Sequence, residues 1–98
     1  MIVFTDGALA DLERIFEFVA GRDPFDALEH IDKVRSSITV LEDHPRIGQK
    51  ISSRSSMREL IISRGASGYV ALYEYSPGSN HISILAIRHQ HEAGYFAD

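Results

Sequence analysis

The stretch that most limits what this chain can build runs from residue 57 to residue 95, where three apolar runs are separated by two turn signals. The middle run, Tyr69-Val70-Ala71-Leu72-Tyr73-Glu74-Tyr75, is rich in aromatic and branched side chains, which suit a pleated, half-buried surface. Gly68 bounds it on one side and Ser76-Pro77-Gly78 on the other, and these residue types set tight turns. Leu60-Ile61-Ile62 precedes it and Ile82-Ser83-Ile84-Leu85-Ala86-Ile87 follows it, so two hairpins give an antiparallel three-stranded sheet. A sheet with an apolar face needs cover, and the upstream half of the chain must supply it.

Ile2-Val3-Phe4 makes a short opening strand, after which Thr5 or Asp6 offers a side-chain oxygen to cap a helix. Leu9, Leu12, Ile15, Phe16 and Val19 recur every three or four residues and predict a helix over 7–20, with Asp11, Glu13, Arg14 and Glu17 mostly off the apolar stripe. Gly21 is expected to stop that helix in the left-handed conformation. Asp23-Pro24-Phe25-Asp26 then supplies a cap, a proline in the first turn and an early carboxylate. Leu28, Ile31, Val34, Ile38 and Leu41 continue the pattern over 24–43, until His44-Pro45 ends it. Residues 46–56, with Gly48 and four serines, are expected to form an exposed loop.

The expected fold class is α+β, in the order β-α-α-β-β-β: a helical hairpin packed on a small, mainly antiparallel sheet. Ninety-eight residues at 44% hydrophobic content allow one such core, so residues 1–98 are expected to be a single domain. The expected core is Leu12, Ile15, Phe16, Leu28, Ile31, Val34, Ile38, Leu41, Val70, Leu72, Ile84 and Leu85.

The absence of cysteine excludes disulfides and thiolate metal sites and fits a reducing compartment. No run approaches the roughly 20 apolar residues of a membrane span, and the first residues lack the basic and apolar pattern of a leader. A cytoplasmic, unprocessed protein without a membrane partner is the expectation. The formal charge of −4 works against a broad phosphate-binding surface. Acidic residues nevertheless crowd the first half, while Arg46, Lys50, Arg54, Arg58, Arg64 and Arg88 gather in the second.

Of the five histidines, His30, His44 and His81 stand alone in sequence. His89 and His91 supply two ligands, which are too few for a metal site, so no metal and no cofactor are expected. Phosphate-loop and nucleophile-elbow motifs are absent. Chemistry is left to Arg58, Arg64, Arg88, His89, His91, Glu92 and Tyr95, at strand ends and in the tail. Arginine grips phosphate, histidine moves protons near neutral pH and tyrosine stacks on a base, a set that suits RNA cleavage. The plainer alternative pairs Arg58 with Glu17 or Asp32, pairs Arg88 with Glu92, and uses Tyr95 and Phe96 to pin the C-terminus.

The order of elements, together with Ala10-Asp11-Leu12-Glu13-Arg14-Ile15, Ile38-Thr39-Val40-Leu41 with Pro45 and Gly48, Met57-Arg58-Glu59-Leu60, Gly68-Tyr69 with Tyr73, and Ile84-Leu85-Ala86-Ile87-Arg88-His89, resembles the ParE/RelE superfamily of bacterial toxin components, often labelled plasmid-stabilisation proteins. That resemblance implies a small toxin held inactive by a cognate antitoxin whose segment wraps over its helices and sheet, in a heterotetramer or larger complex. RelE-like members cut ribosome-bound mRNA with a basic cluster and a C-terminal aromatic, whereas ParE-like members lack the cluster and poison DNA gyrase.

This chain departs from the nuclease pattern. Val70 stands where those members usually carry arginine, and Leu60, Ile61 and Ile62 stand where they carry lysines. The resemblance therefore favours the ParE-like branch, with Arg58, Arg64, Arg88 and His91 as target-binding residues. The alternative is a RelE-like endoribonuclease in which Arg88 holds the phosphate, His89 moves the proton and Tyr95 orients the nucleotide. A third outcome is an antitoxin-binding relic of the fold without toxicity.

Overall fold

Asp11 and Arg14 of the first helix, placed off its apolar stripe by sequence, turn inward and hold the backbone of the last strand. The structure, a computed structural model, describes residues 1–62 and 68–90. Its elements are β1 (Ile2–Phe4), α1 (Asp6–Ala20), α2 (Pro24–Ile38), a 3-10 turn (Thr39–Glu42), β2 (Gln49–Lys50), β3 (Met57–Ile61), β4 (Tyr69–Ser76) and β5 (His81–His89). The sheet order is β1-β5-β4-β3-β2, with β1 parallel to β5 and the other pairs antiparallel. The α+β class and the helical hairpin on the sheet are as expected.

Thr5 caps α1 by accepting from the Ala8 N–H, and its hydroxyl lies 2.8 Å from the Ile84 carbonyl, so the same residue ends β1 and starts the helix. Asp23 caps α2 in the same way, accepting from Phe25 and Asp26 with Pro24 in the first turn. Between the helices Gly21 is right-handed (φ −64°), not left-handed as expected, because backbone bonds to the carbonyls of Glu17 and Val19 carry the chain round to the next cap. In the β4–β5 turn it is Asn80 that takes positive φ (53°), where a short polar side chain is tolerated.

One face of the sheet packs on the helices. Ala8, Leu12, Ile15, Val34, Ile38 and Leu41 meet Tyr69, Ala71, Tyr73, Ile82, Ile84 and Ile87, with Ile2, Phe4 and Ile31 against them. Val70 is buried as expected, while Phe16, Ile31, Leu72 and Leu85 are half-buried. Leu28, expected in the core, is 60% exposed, and Leu9 is 47% exposed. Ala27 takes the place expected of Leu28 because the buried line of α2 runs through Ala27, Val34 and Ile38, and Leu28 lies about 100° round the helix from it.

Two further corrections concern residues 39–56. The second helix tightens into the 3-10 turn after Ile38 rather than running as α-helix to residue 43. The segment expected to be a loop contains β2, which makes the sheet five-stranded: Gln49 pairs with Glu59, Lys50 with Arg58, and the Ile51 N–H reaches the Met57 carbonyl.

Ile38→Ala is expected to destabilise the fold by about 2–5 kcal/mol, the range for emptying a packed site. Leu28→Ala should change stability by less than about 0.5 kcal/mol, as at an exposed position. Urea unfolding of the two variants against the parent measures both.

Candidate functional site

β5 needs two neighbours, and β1 serves as one of them only as far as Phe4, which pairs with Ile84. At that point the register with β4 slips: Leu72 faces Ala86 and Tyr73 faces Ile84, leaving Leu85 as the extra residue of a bulge. The bulge lets both Ile84 and Ile87 face the helices. Beyond it, Asp11 Oδ2 accepts from the Ile87 N–H at 2.8 Å and Arg14 donates to the Ile87 carbonyl at 3.3 Å. Asp11 is only 6% exposed, and Arg14 lies 3.6 Å from its other oxygen. Two side chains of α1 thus take the place of the missing strand, satisfying backbone groups that would otherwise be buried without partners.

At the other end of the helix-covered face, Tyr73 is fully buried, and its hydroxyl donates to the Pro45 carbonyl at 2.9 Å while accepting from the Gly48 N–H at 2.9 Å. Arg58, paired across the sheet with Tyr73, donates to the Gly48 carbonyl at 2.7 Å and the Arg46 carbonyl at 3.2 Å. Glycine is required at 48 for space: a Cβ there would come within 2.6 Å of the Tyr73 ring and 2.8 Å of the Glu59 carbonyl. Burial raises the Tyr73 pKa above the ordinary value near 10, opposed in part by the Gly48 hydrogen bond and the charge of Arg58. Arg46 completes the corner, its guanidinium 5.1 Å from the centre of the Tyr75 ring.

Arg88 and His89 are consecutive in a strand and therefore face opposite ways. His89 is on the helix side, its ring edge-on to Tyr69 at 5.5 Å, and His30 of α2 meets Tyr69 at 6.1 Å. His30 in turn is 3.1 Å from the Asp26 carbonyl and 3.5 Å from its carboxylate. Asp26, Glu29, His30, Lys33, Val34, Ile62 and Tyr69 line a cleft of about 150 Å³ there. Arg88 is on the face away from the helices, 3.8 Å from Glu59 across β4, and donates to the carbonyls of His89 and Gln90 at 3.2 and 3.4 Å.

Of the residues singled out by sequence, Arg58 grips backbone carbonyls and not Glu17 or Asp32, and Arg88 pairs with Glu59. The structure does not bring Arg58, Arg88 and His89 to one place. Arg64, His91, Glu92, Tyr95 and Phe96 lie outside the described residues. Sequence reasoning missed Asp11 with Arg14, and the Tyr73, Gly48 and Pro45 corner. The available hint to the first was an acid and a base one helical turn apart beside the apolar stripe. Among the described residues no group of three or more histidines and carboxylates is placed to hold a metal, and no helix is long and apolar enough to cross a membrane.

Residues 2–94 match the family described as the ParE toxin of the type II toxin-antitoxin system, parDE. The chain is also similar to a protein named Toxin RelE3 from Caulobacter vibrioides (strain ATCC 19089 / CIP 103742 / CB 15), at 35% identity over 85 residues, which is 87% of this chain and 88% of that protein.

Two substitutions test the supports. Asp11→Ala leaves the Ile87 N–H buried without a partner and should cost about 1–3 kcal/mol by urea unfolding. Neutral Tyr73 stabilises the fold fully below the ordinary tyrosine pKa near 10, and that contribution is lost as pH rises through its higher folded value. Tyr73→Phe should therefore be less stable than the parent at neutral pH and should show a shallower fall in stability above pH 10, followed by chemical denaturation across the alkaline range.

Proposed function

The chain belongs to the ParE toxin family of type II toxin-antitoxin systems, and from that premise we propose that it acts by a protein contact on DNA gyrase rather than by cutting RNA. The observation that carries this reading is the division of the two best nuclease candidates between opposite faces of the sheet. Arg88 cannot hold a phosphate in reach of a proton moved by His89 while one lies above the sheet and the other below it. Arg88 is also engaged by Glu59 and by two carbonyls. Around it the face away from the helices carries Val70, Leu72 and Ile61, where charge on a cleaved phosphate would need several preorganised donors, each commonly worth about 10²–10³ in rate.

The family supplies the second partner, a cognate antitoxin. The helical hairpin is proposed as part of its docking surface, since Phe25 is 84% and Leu28 60% exposed on α2. The name of the Caulobacter relative, Toxin RelE3, fits a second, RelE-like reading, for which Arg88, His89 and Tyr95 are the candidate residues of an endoribonuclease.

Purified toxin added to gyrase supercoiling reactions should inhibit them, with no site-specific cleavage of message on translating ribosomes. Cleavage of ribosome-bound message, abolished by His89→Ala or Tyr95→Ala while gyrase is unaffected, would replace this proposal with the nuclease reading.

A further inference from the structure

The corner around the β2–β3 turn gathers positive charge that the fold does not use. Residues 44–58 include four basic side chains and no acidic one. Lys50 lies opposite Arg58, which in turn lies opposite Tyr73, so both cations are on the helix-facing side of the sheet. The bond from the Ile51 N–H to the Met57 carbonyl makes 51/57 a hydrogen-bonded pair, so 50/58 is the alternate kind, in which opposed side chains approach most closely. Like charges so placed cost stability. Arg46 rests its guanidinium on the Tyr75 ring, two residues along β4 from Tyr73 in the direction of the β2–β3 turn, and Arg54 is in the turn itself. The carboxylates of β3 and β4, Glu59 and Glu74, are on the opposite side of the sheet, where they meet Arg88 and the Ser56 hydroxyl.

The outer groups of this corner are available to a ligand. Lys50 and Arg54 are exposed, and among the described residues neither side chain has a hydrogen bond or an ion pair. The exposed Ser52 and Ser53 stand between them in the chain, and the pairing pattern turns the Lys50 N–H away from β3, towards the free edge. Cationic side chains, hydroxyls and backbone N–H groups are what holds phosphate oxygens. Ile51 and Ile61, the exposed isoleucines beside β2 and in β3, are on the other side of the sheet, so the corner lacks the apolar centre of a protein interface. Interfaces with DNA are polar and strongly positive. With a formal charge of −4 on the whole chain and acidic residues crowding its first half, a polyanion is drawn to this corner and repelled from the helices.

We propose, on the basis of the gyrase reading above, that this corner holds the phosphate backbone of duplex DNA, with Lys50 and Arg54 in contact and Arg46 and Arg58 adding their field, so that the toxin recognises gyrase in its DNA-bound form. So few phosphate contacts bind free DNA weakly, with Kd on the order of 10⁻⁴–10⁻⁶ M. Once a protein contact holds the toxin on gyrase, the DNA contact becomes intramolecular and multiplies the affinity. The close approach of Lys50 to Arg58 is relieved when a phosphate lies between them.

The test compares the full toxin with two variants of equal charge: Lys50→Gln with Arg54→Gln at the corner, and Arg22→Gln with Arg35→Gln on the helices. A labelled DNA duplex of mixed sequence should bind the corner variant about tenfold or more weakly than the parent, with the slope of log affinity against log salt shallower by about 2. The helix variant should keep the parent's affinity and slope. In gyrase supercoiling reactions the corner variant should need about tenfold more protein for half-inhibition, a gap that narrows as salt is added. Lys50→Gln should leave the urea midpoint unchanged or raised, which separates lost binding from lost folding. Undetectable duplex binding by the parent at low salt, equal effects of the two variants, or equal inhibition of gyrase by parent and corner variant overturns the DNA contact and leaves the gyrase reading standing. A parent that binds duplex through Lys50 and Arg54 yet leaves gyrase untouched overturns the gyrase reading and keeps the phosphate site. Tighter binding to single-stranded RNA than to duplex, lost in the corner variant, would overturn the choice of DNA and assign the corner to RNA.

Discussion

A strand buried in a sheet must find partners for the backbone groups on both its edges, and in this chain β5 runs about five residues further than β1 can accompany it. The rest of the arrangement follows from how that deficit is met. Asp11 and Arg14 reach down from α1 to the two backbone groups of Ile87, which fixes the height and rotation of α1 over the sheet. With α1 so placed, Leu12 and Ile15 face the β5 side chains, and α2 has one flank left on which to lie, above β4 and the end of β3. Hydrophobic burial supplies most of the stabilisation but is indifferent to a small sliding of a helix. The carboxylate is not indifferent, since it accepts only at hydrogen-bond distance.

The second fixed point is Tyr73, and it acts on a segment with little core of its own. Residues 44–56 contribute no large buried side chain, yet Gly48 is buried and β2 is formed. A single phenol, held by packing, takes a donor and an acceptor from this segment, and Arg58 takes two more carbonyls from it. The corner is thus ordered by polar contacts to a rigid strand. That mode of support leaves its outer side chains unencumbered, whereas a hydrophobic anchor would have drawn Ile47 and Ile51 inward.

Much of the architecture was legible from local rules. The helix caps at Thr5 and Asp23, the β4 and β5 runs and most of the apolar stripes report themselves through spacing, because each is decided by contacts within a few residues. What escaped was decided at a distance. Nothing near Asp11 in sequence indicates that Ile87 lacks a strand partner, and nothing near Gly48 indicates a tyrosine ring where its side chain would be. Leu28 was misplaced because alanine can lie closer to a neighbouring element than leucine, so the buried line of α2 passed through Ala27. Gly21 does end the first helix, as its cap, but in a right-handed and not a left-handed conformation, because backbone hydrogen bonds carry the chain on to the next cap. For the candidate site, the residue types were legible and their grouping was not.

That last failure has a general cause. Adjacent residues in a helix or loop can serve one site, but in a strand they are assigned to opposite faces, and here those faces have different neighbours: His89 meets Tyr69 beneath the helices, and Arg88 meets Glu59 on the far side. A basic string at a strand end therefore overstates the charge available to any one ligand by about a factor of two. The same division works in reverse at the β2 edge, where Lys50 and Arg58 come from different strands, eight residues apart, and are held on one face in register. Charge in a sheet protein is counted by face and register, and among the described residues that count puts Lys50 and Arg58 together at the β2 edge while it divides the Arg88-His89 string between two faces.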